Sequence, residues 1–136
     1  MSSLRVSVLA SGSSGNSVYI TDGSHSILID AGLSGKKIIE RLKNCGVSNP
    51  GLDAILVTHE HKDHIQGVGV LSRKLDLPIY ANELTWSETE SCIGEVKNRN
   101  CKIFDSGFMI GDLGIKPFSI SHDAQDPVGF IIKNKK

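Results

Sequence analysis

The chain has 136 residues, 39% hydrophobic and 22% charged, and a formal net charge of zero. That length suits one domain with its own core, and the even charge balance excludes the overall basic footprint of a protein that grips nucleic acid by charge alone. No stretch approaches the roughly 20 apolar residues of a membrane span, Val6 to Ala10 is too short for a signal peptide, and three scattered cysteines without a Cys-x-x-Cys pair fit packing roles in a reducing cytoplasm.

Arg5 to Ala10 alternates and is β-branched, which predicts a strand, and Ser11 to Ser17 (Ser-Gly-Ser-Ser-Gly-Asn-Ser) is a long turn signal. Val18 to Thr21 and Ser26 to Asp30 predict two further strands joined through Asp22-Gly23, a hairpin dipeptide. His25 falls in that turn and carries no predicted role. Ser34 can cap a helix running to about Asn44, with Ile38, Leu42 and Cys45 on one face and Gly46 stopping it. Lys36, Lys37, Arg41 and Lys43 then form its solvated side, and Arg73 with Lys74 a second solvated pair.

Ala54 to Thr58 is a short unbroken apolar run, as expected of a strand buried on both faces. A helix is predicted from about Ile65 to Leu75, closed by Pro78, then a strand Ile79 to Ala81 and a helix capped by Asn82 and ending near Ile93. Lys102 to His122 reads as strands separated by Gly107, Gly111 and Gly114, and Val128 to Lys133 as a last strand. Strands lead, helix and strand then alternate, and strands return, which suits sheets layered with helices in an α/β (α+β) fold.

The densest chemistry lies between Thr58 and His64, which read Thr-His-Glu-His-Lys-Asp-His and hold three of the five histidines. Imidazole and carboxylate donors suit zinc, iron or manganese better than calcium or magnesium. On a strand His59, His61 and Asp63 share a face and His64 turns away. On a loop after a strand, His59 and His61 can bind one ion while Asp63 and His64 turn towards a second. His122, directly after another predicted strand, can join His59 and His61 as a third ligand, the pattern of a catalytic zinc; the plainer alternative is a hydrogen-bonded core histidine. Asp30, at a strand end, is either a cap or a partner fixing the tautomer and orientation of a ligand histidine. Ser11, Gly12, Ser13, Ser14, Gly15 and Asn16 form either a backbone nest for a phosphate or a plain turn.

These residues carry a family resemblance that runs from about residue 5 to about residue 132. Thr58-His59-Glu60-His61-Lys62-Asp63-His64 is similar to the His-x-His-x-Asp-His signature of the metallo-β-lactamase fold superfamily. The Ser11–Ser17 loop, Leu28 to Lys36, Pro78 to Asn82 with Thr85-Trp86, and Ser121 to Ala124 with Asp126-Pro127 resemble its YycJ/WalJ (VicX) branch. The resemblance implies an αββα sandwich with two divalent metal ions, zinc or manganese, with iron a further candidate. Asp30 corresponds to the first motif, His59, His61, Asp63 and His64 to the second, and His122 to the third.

It further implies a hydrolase, foremost a phosphodiesterase acting as a 5′-to-3′ exonuclease on DNA through a metal-bound hydroxide. Asp63 would ligate and orient or deprotonate the water. The pattern also implies a bridging aspartate and a further histidine downstream of the third motif, and no Asp or His follows Asp126. The expectation is therefore a truncated domain over residues 1–136, with one sheet exposing an apolar face. The alternatives are a non-catalytic metal-binding half-domain that needs a partner, or a hydrolase of thioesters or lactams in the same superfamily. DNA is the expected partner of the full-length protein, no membrane association is expected, and a homo-oligomer is compatible with the pattern.

Overall fold

The computed structural model describes residues 3–47, 51–120 and 126–135. Strands β1 (Arg5–Ala10), β2 (Ser17–Thr21) and β3 (Ser26–Ile29) pair antiparallel in chain order, with an irregularity between Val8 and Ala10. β4 (Ala54–Leu56), β5 (Ile79–Ala81) and β6 (Cys101–Ile103) then add in parallel, completing a six-stranded sheet in sequence order. Parallel neighbours need crossovers. Helix α1 (Gly35–Asn44) joins β3 to β4, α2 (Lys62–Ile65) and α3 (Val68–Leu75) join β4 to β5, and α4 (Glu83–Thr89) leads towards β6. β7 (Phe108–Ile110), β8 (Leu113–Ser119) and β9 (Val128–Asn134) form a second, antiparallel sheet.

The apolar residues sort by parity into two cores. Leu28, Ile55, Val57 and Ile79 face the helices and pack with Ile38, Leu42, Val68, Leu71 and Trp86. Ile27, Ala54 and Leu56 face the other way and pack with Ile110, Leu113 and Ile115 of the second sheet. Residues 54–57 are fully buried, which is why their apolar run has no alternation. The described residues thus form three layers, helices on sheet on sheet, and the outer face of the second sheet leaves Met109, Phe118 and Ile131 exposed alongside Lys116 and Lys133.

Most predicted elements stand with small shifts. Ser34 caps α1, its hydroxyl accepting from Lys37 N at 3.3 Å, and Asn82 caps α4, its side chain accepting from Thr85 N at 2.9 Å. Other expectations need correction. The helix predicted from Ile65 to Leu75 is two helices broken at Gln66-Gly67, where Gly67 N donates to Ala31 O at 2.7 Å outside the helix ladder and a Cβ would overlap the Leu33 carbonyl. The helix after Asn82 ends at Thr89, and Gly114 lies within β8 instead of separating strands. All three cysteines are exposed, so none packs in a core, and Cys45 sits at the C-cap of α1 instead of on its buried face.

Candidate metal centre

The parallel strands β3 and β4 end side by side, and the chemistry-bearing residues follow those ends. Asp30 leaves β3 in the left-handed region (φ 62°), a conformation that aspartate tolerates better than most side chains. Its N–H donates to Leu56 O at 2.7 Å, so the residue is held against the end of β4. Asp30 is 4% exposed, and its carboxylate accepts from Thr58 N at 2.8 Å through Oδ1 and from Thr58 Oγ1 at 2.7 Å through Oδ2. His64 Nδ1 lies 2.6 Å from the same Oδ2.

This frame sets the histidine tautomers. Thr58 Oγ1 gives its single proton to Asp30, so its 2.9 Å contact with His59 Nδ1 has the imidazole as donor. His64 Nδ1 likewise donates to Asp30, so that in the neutral form of either ring Nε2 is the nitrogen with the lone pair. The rings gather closely: the His59 centroid is 3.9 Å from that of His64 and 4.8 Å from that of His61. Burial pushes the Asp30 carboxyl above its usual range, with His64 and Thr58 pulling the other way. Burial also works against a charged His64, but the hydrogen bond and charge of Asp30, with the charge of Asp63, outweigh it and leave His64 above its ordinary value.

The loop itself differs from a simple extended connector. His61 is the N-cap of α2, and Asp63 and His64 sit within that single helical turn. The turn is stapled to the end of β3: Ala31 N donates to His64 O at 3.0 Å and Gly67 N to Ala31 O at 2.7 Å. Gly32 lies so close that a Cβ there would overlap the Asp63 carbonyl. The second sheet is tied in as well, since Val128 N donates to Thr58 O at 3.0 Å.

The Ser/Gly loop lies against the same turn. Gly12 N donates to Asn16 Oδ1, Gly15 N to Gly12 O and Asn16 N to Asp63 O, so three of its amides are engaged within the protein. Exposed Ser13 and Ser14 line an open cleft of about 460 Å³ with Lys62, Asp63 and Gln66. His122 lies outside the described residues. Ile120 N donates to Pro127 O at 3.2 Å, and Asn82 Nδ2 to Asp126 O at 2.8 Å.

The donor set fits a divalent transition metal: three imidazoles, two of them with Nδ1 engaged and Nε2 presented, beside a carboxylate. His59, His61, Asp63 and His64 could hold metal as two adjacent pairs. Among the described residues, the group of three with ligand atoms within 4.8 Å of one another is Asp22, His25 and Asp112. His25, which carried no predicted role, rests on Gly111 and lies 3.7 Å from Asp22, joining the β2–β3 turn to the β7–β8 turn. This group sits at the start of β3, whereas Asp30 follows its end. Spacing could not reveal it, since Asp112 is far from His25 in the chain.

The metallo-beta-lactamase superfamily model matches residues 10–136. The exodeoxyribonuclease YycJ of Bacillus anthracis is 45% identical over 133 residues, covering 96% of this chain and 50% of that protein. The exodeoxyribonuclease WalJ of Streptococcus pneumoniae serotype 2 (strain D39 / NCTC 7466) is 49% identical over 127 residues, covering 90% of this chain and 47% of the relative. The chain thus spans about half the length of the curated relatives it matches. Among solved structures, a diphosphatase from the PhnP family superposes with a TM-score of 0.73 at 21% identity, over 96% of this chain and 62% of that one. A B3 metallo-beta-lactamase with an active-site glutamic acid superposes with a TM-score of 0.76 at 16% identity, over 93% and 53% respectively. These two likenesses establish the fold. No helix among the described residues is long and apolar enough to cross a membrane.

Proposed function

The chain belongs to the metallo-beta-lactamase superfamily, and from that premise we propose that it carries part of the metal centre of a phosphodiesterase acting on DNA as a 5′-to-3′ exonuclease. His59 and His61 hold one divalent ion, with His122 as a further ligand, and Asp63 with His64 hold a second, zinc or manganese. A bound pair of such ions supplies Lewis-acid polarisation of a phosphoryl oxygen and makes water acidic enough to attack near neutral pH. The protein's own part is orientation. Asp30 and Thr58 fix the rings of His59 and His64, Asp63 accepts a proton from water at its carboxylate, and Ser13, Ser14 and Lys62 offer donors to a phosphate in the adjoining cleft.

The observation that carries this reading is the buried Asp30–Thr58 frame, which holds His59 and His64 through Nδ1 at 2.9 and 2.6 Å and so presents Nε2. A solvated histidine loop has no need of such a frame. The YycJ and WalJ relatives are named exodeoxyribonucleases, which favours DNA over acyl substrates for this site.

Elemental analysis of the chain purified without chelator, beside a His59→Ala/His61→Ala control, tests the metal assignment. Near two equivalents, lost in the control, support it, and release of nucleotides from 5′-labelled DNA then tests the activity. One equivalent without hydrolysis favours an ion-binding, non-catalytic chain. No metal above the control sinks the assignment.

A further inference from the structure

Asn16 is bound to the ligand turn more closely than a turn residue requires. Its Oδ1 accepts from Gly12 N at 3.1 Å and its Nδ2 donates to Gly12 O at 2.8 Å, so the side chain is held by its own loop. The same Nδ2 lies 3.1 Å from Asp63 Oδ2, 3.2 Å from Asp63 O and 3.3 Å from His64 Nε2. The backbone fixes the approach, with Asn16 N donating to Asp63 O at 2.8 Å and Gly32 N to Asn16 O at 2.9 Å. His64 Nδ1 is already committed to Asp30, so Nε2 meets the Asn16 amide with its lone pair. One amide nitrogen therefore faces both donor atoms of the Asp63/His64 pair.

We propose that Asn16 is a positioning residue for that pair: its Nδ2 holds Asp63 Oδ2 and His64 Nε2 side by side before an ion arrives, and retains Asp63 once His64 turns its lone pair to the ion. The inference rests on the metal assignment above and deepens it. An amide has two protons and here four oxygen or nitrogen acceptors within 3.3 Å, so the contacts are shared and one can be released while the others remain. Asp63 needs such a partner because its side chain is 31% exposed, and an untethered carboxylate would lose rotamer freedom on binding. Groups that orient ligands in this way are typically worth about 10–100-fold in metal affinity.

Zinc titration followed by NMR of the imidazole rings reports His59, His61 and His64 separately. In Asn16→Ala the affinity read at His64 is expected to fall about 10–100-fold, with that read at His59 and His61 held within about twofold. An unchanged value at His64, or an equal fall at all three rings, overturns the proposal, the latter being the mark of a merely structural role. In the unsubstituted chain the Asn16 side-chain amide protons should shift in step with His64, and their indifference to zinc would overturn it without any variant. If no ring of the unsubstituted chain responds to zinc, it is the metal assignment that has failed, and that outcome is distinct from the others.

Discussion

Asp30 and His64 lie 34 positions apart in the chain, and their side chains meet at 2.6 Å in a site where the carboxylate is almost wholly buried. This contact links the end of β3 to the helical turn after β4, so it is structural and, by the proposed function, chemical at once. Asp30→Ala is expected to cost stability first, at about 1–3 kcal/mol for each buried polar group that loses its acceptor. Thr58 N, Thr58 Oγ1 and His64 Nδ1 are those groups. Urea unfolding of the ion-free chain should show the loss, and Asp30→Asn, which keeps the shape, should recover part of it. A variant as stable as the parent would show that the frame contributes nothing to the fold.

Ion binding should appear as stability. A ligand that binds only the folded state and is present at about 100 times its dissociation constant adds about 2.7 kcal/mol. Thermal unfolding of the metal-loaded chain should therefore shift upward, fall back on adding a chelator, and show no shift in His59→Ala/His61→Ala. A melting temperature indifferent to zinc, manganese and chelator alike would count against the metal assignment.

Much of this arrangement is legible in the sequence wherever local chemistry decides. The apolar run at 54–57, the caps Ser34 and Asn82, and the Asp22-Gly23 turn each specify their element through neighbours a few residues away. The His-rich stretch is legible for the same reason, as four donors crowd six positions. What stayed hidden depends on contacts across the chain. Gly67 breaks a helix where its N–H turns to Ala31, Asn16 reaches a residue 47 positions away, and His25 lies beside Asp112 of a turn of the other sheet. For Asp30 the contacts also lie across the chain, since its carboxylate accepts from the Thr58 backbone and meets His64 Nδ1, 28 and 34 positions away.

Gly32 separates packing from conformation. It is not among the residues with positive φ, yet a Cβ there would overlap the Asp63 carbonyl and press on Asn16 N. Gly32→Ala should therefore displace the ligand turn and cost about 1–3 kcal/mol, as overpacking of a tight site does. Gly51, whose Cβ would meet nothing within 4 Å, supplies the control, and Gly51→Ala should change stability little. Equal unfolding midpoints for the two variants would contradict the close approach.

The strand that delivers the ligand turn is held from both sides, and the two sides can be tested separately. Ile55 packs among the helices and Leu56 against the second sheet, both fully buried. Ile55→Ala and Leu56→Ala should each cost about 2–5 kcal/mol, the transfer of the lost methyl groups plus the cavity left behind. Ile131→Ala, on the outer face and 43% exposed, should cost much less. The second sheet anchors Thr58 through Val128, so Leu56→Ala should also loosen that contact and speed hydrogen exchange at Val128 N–H more than Ile55→Ala does. If only Ile55→Ala were costly, the sheet-on-sheet core would be dispensable, and the turn after β4 would depend on the helical layer alone.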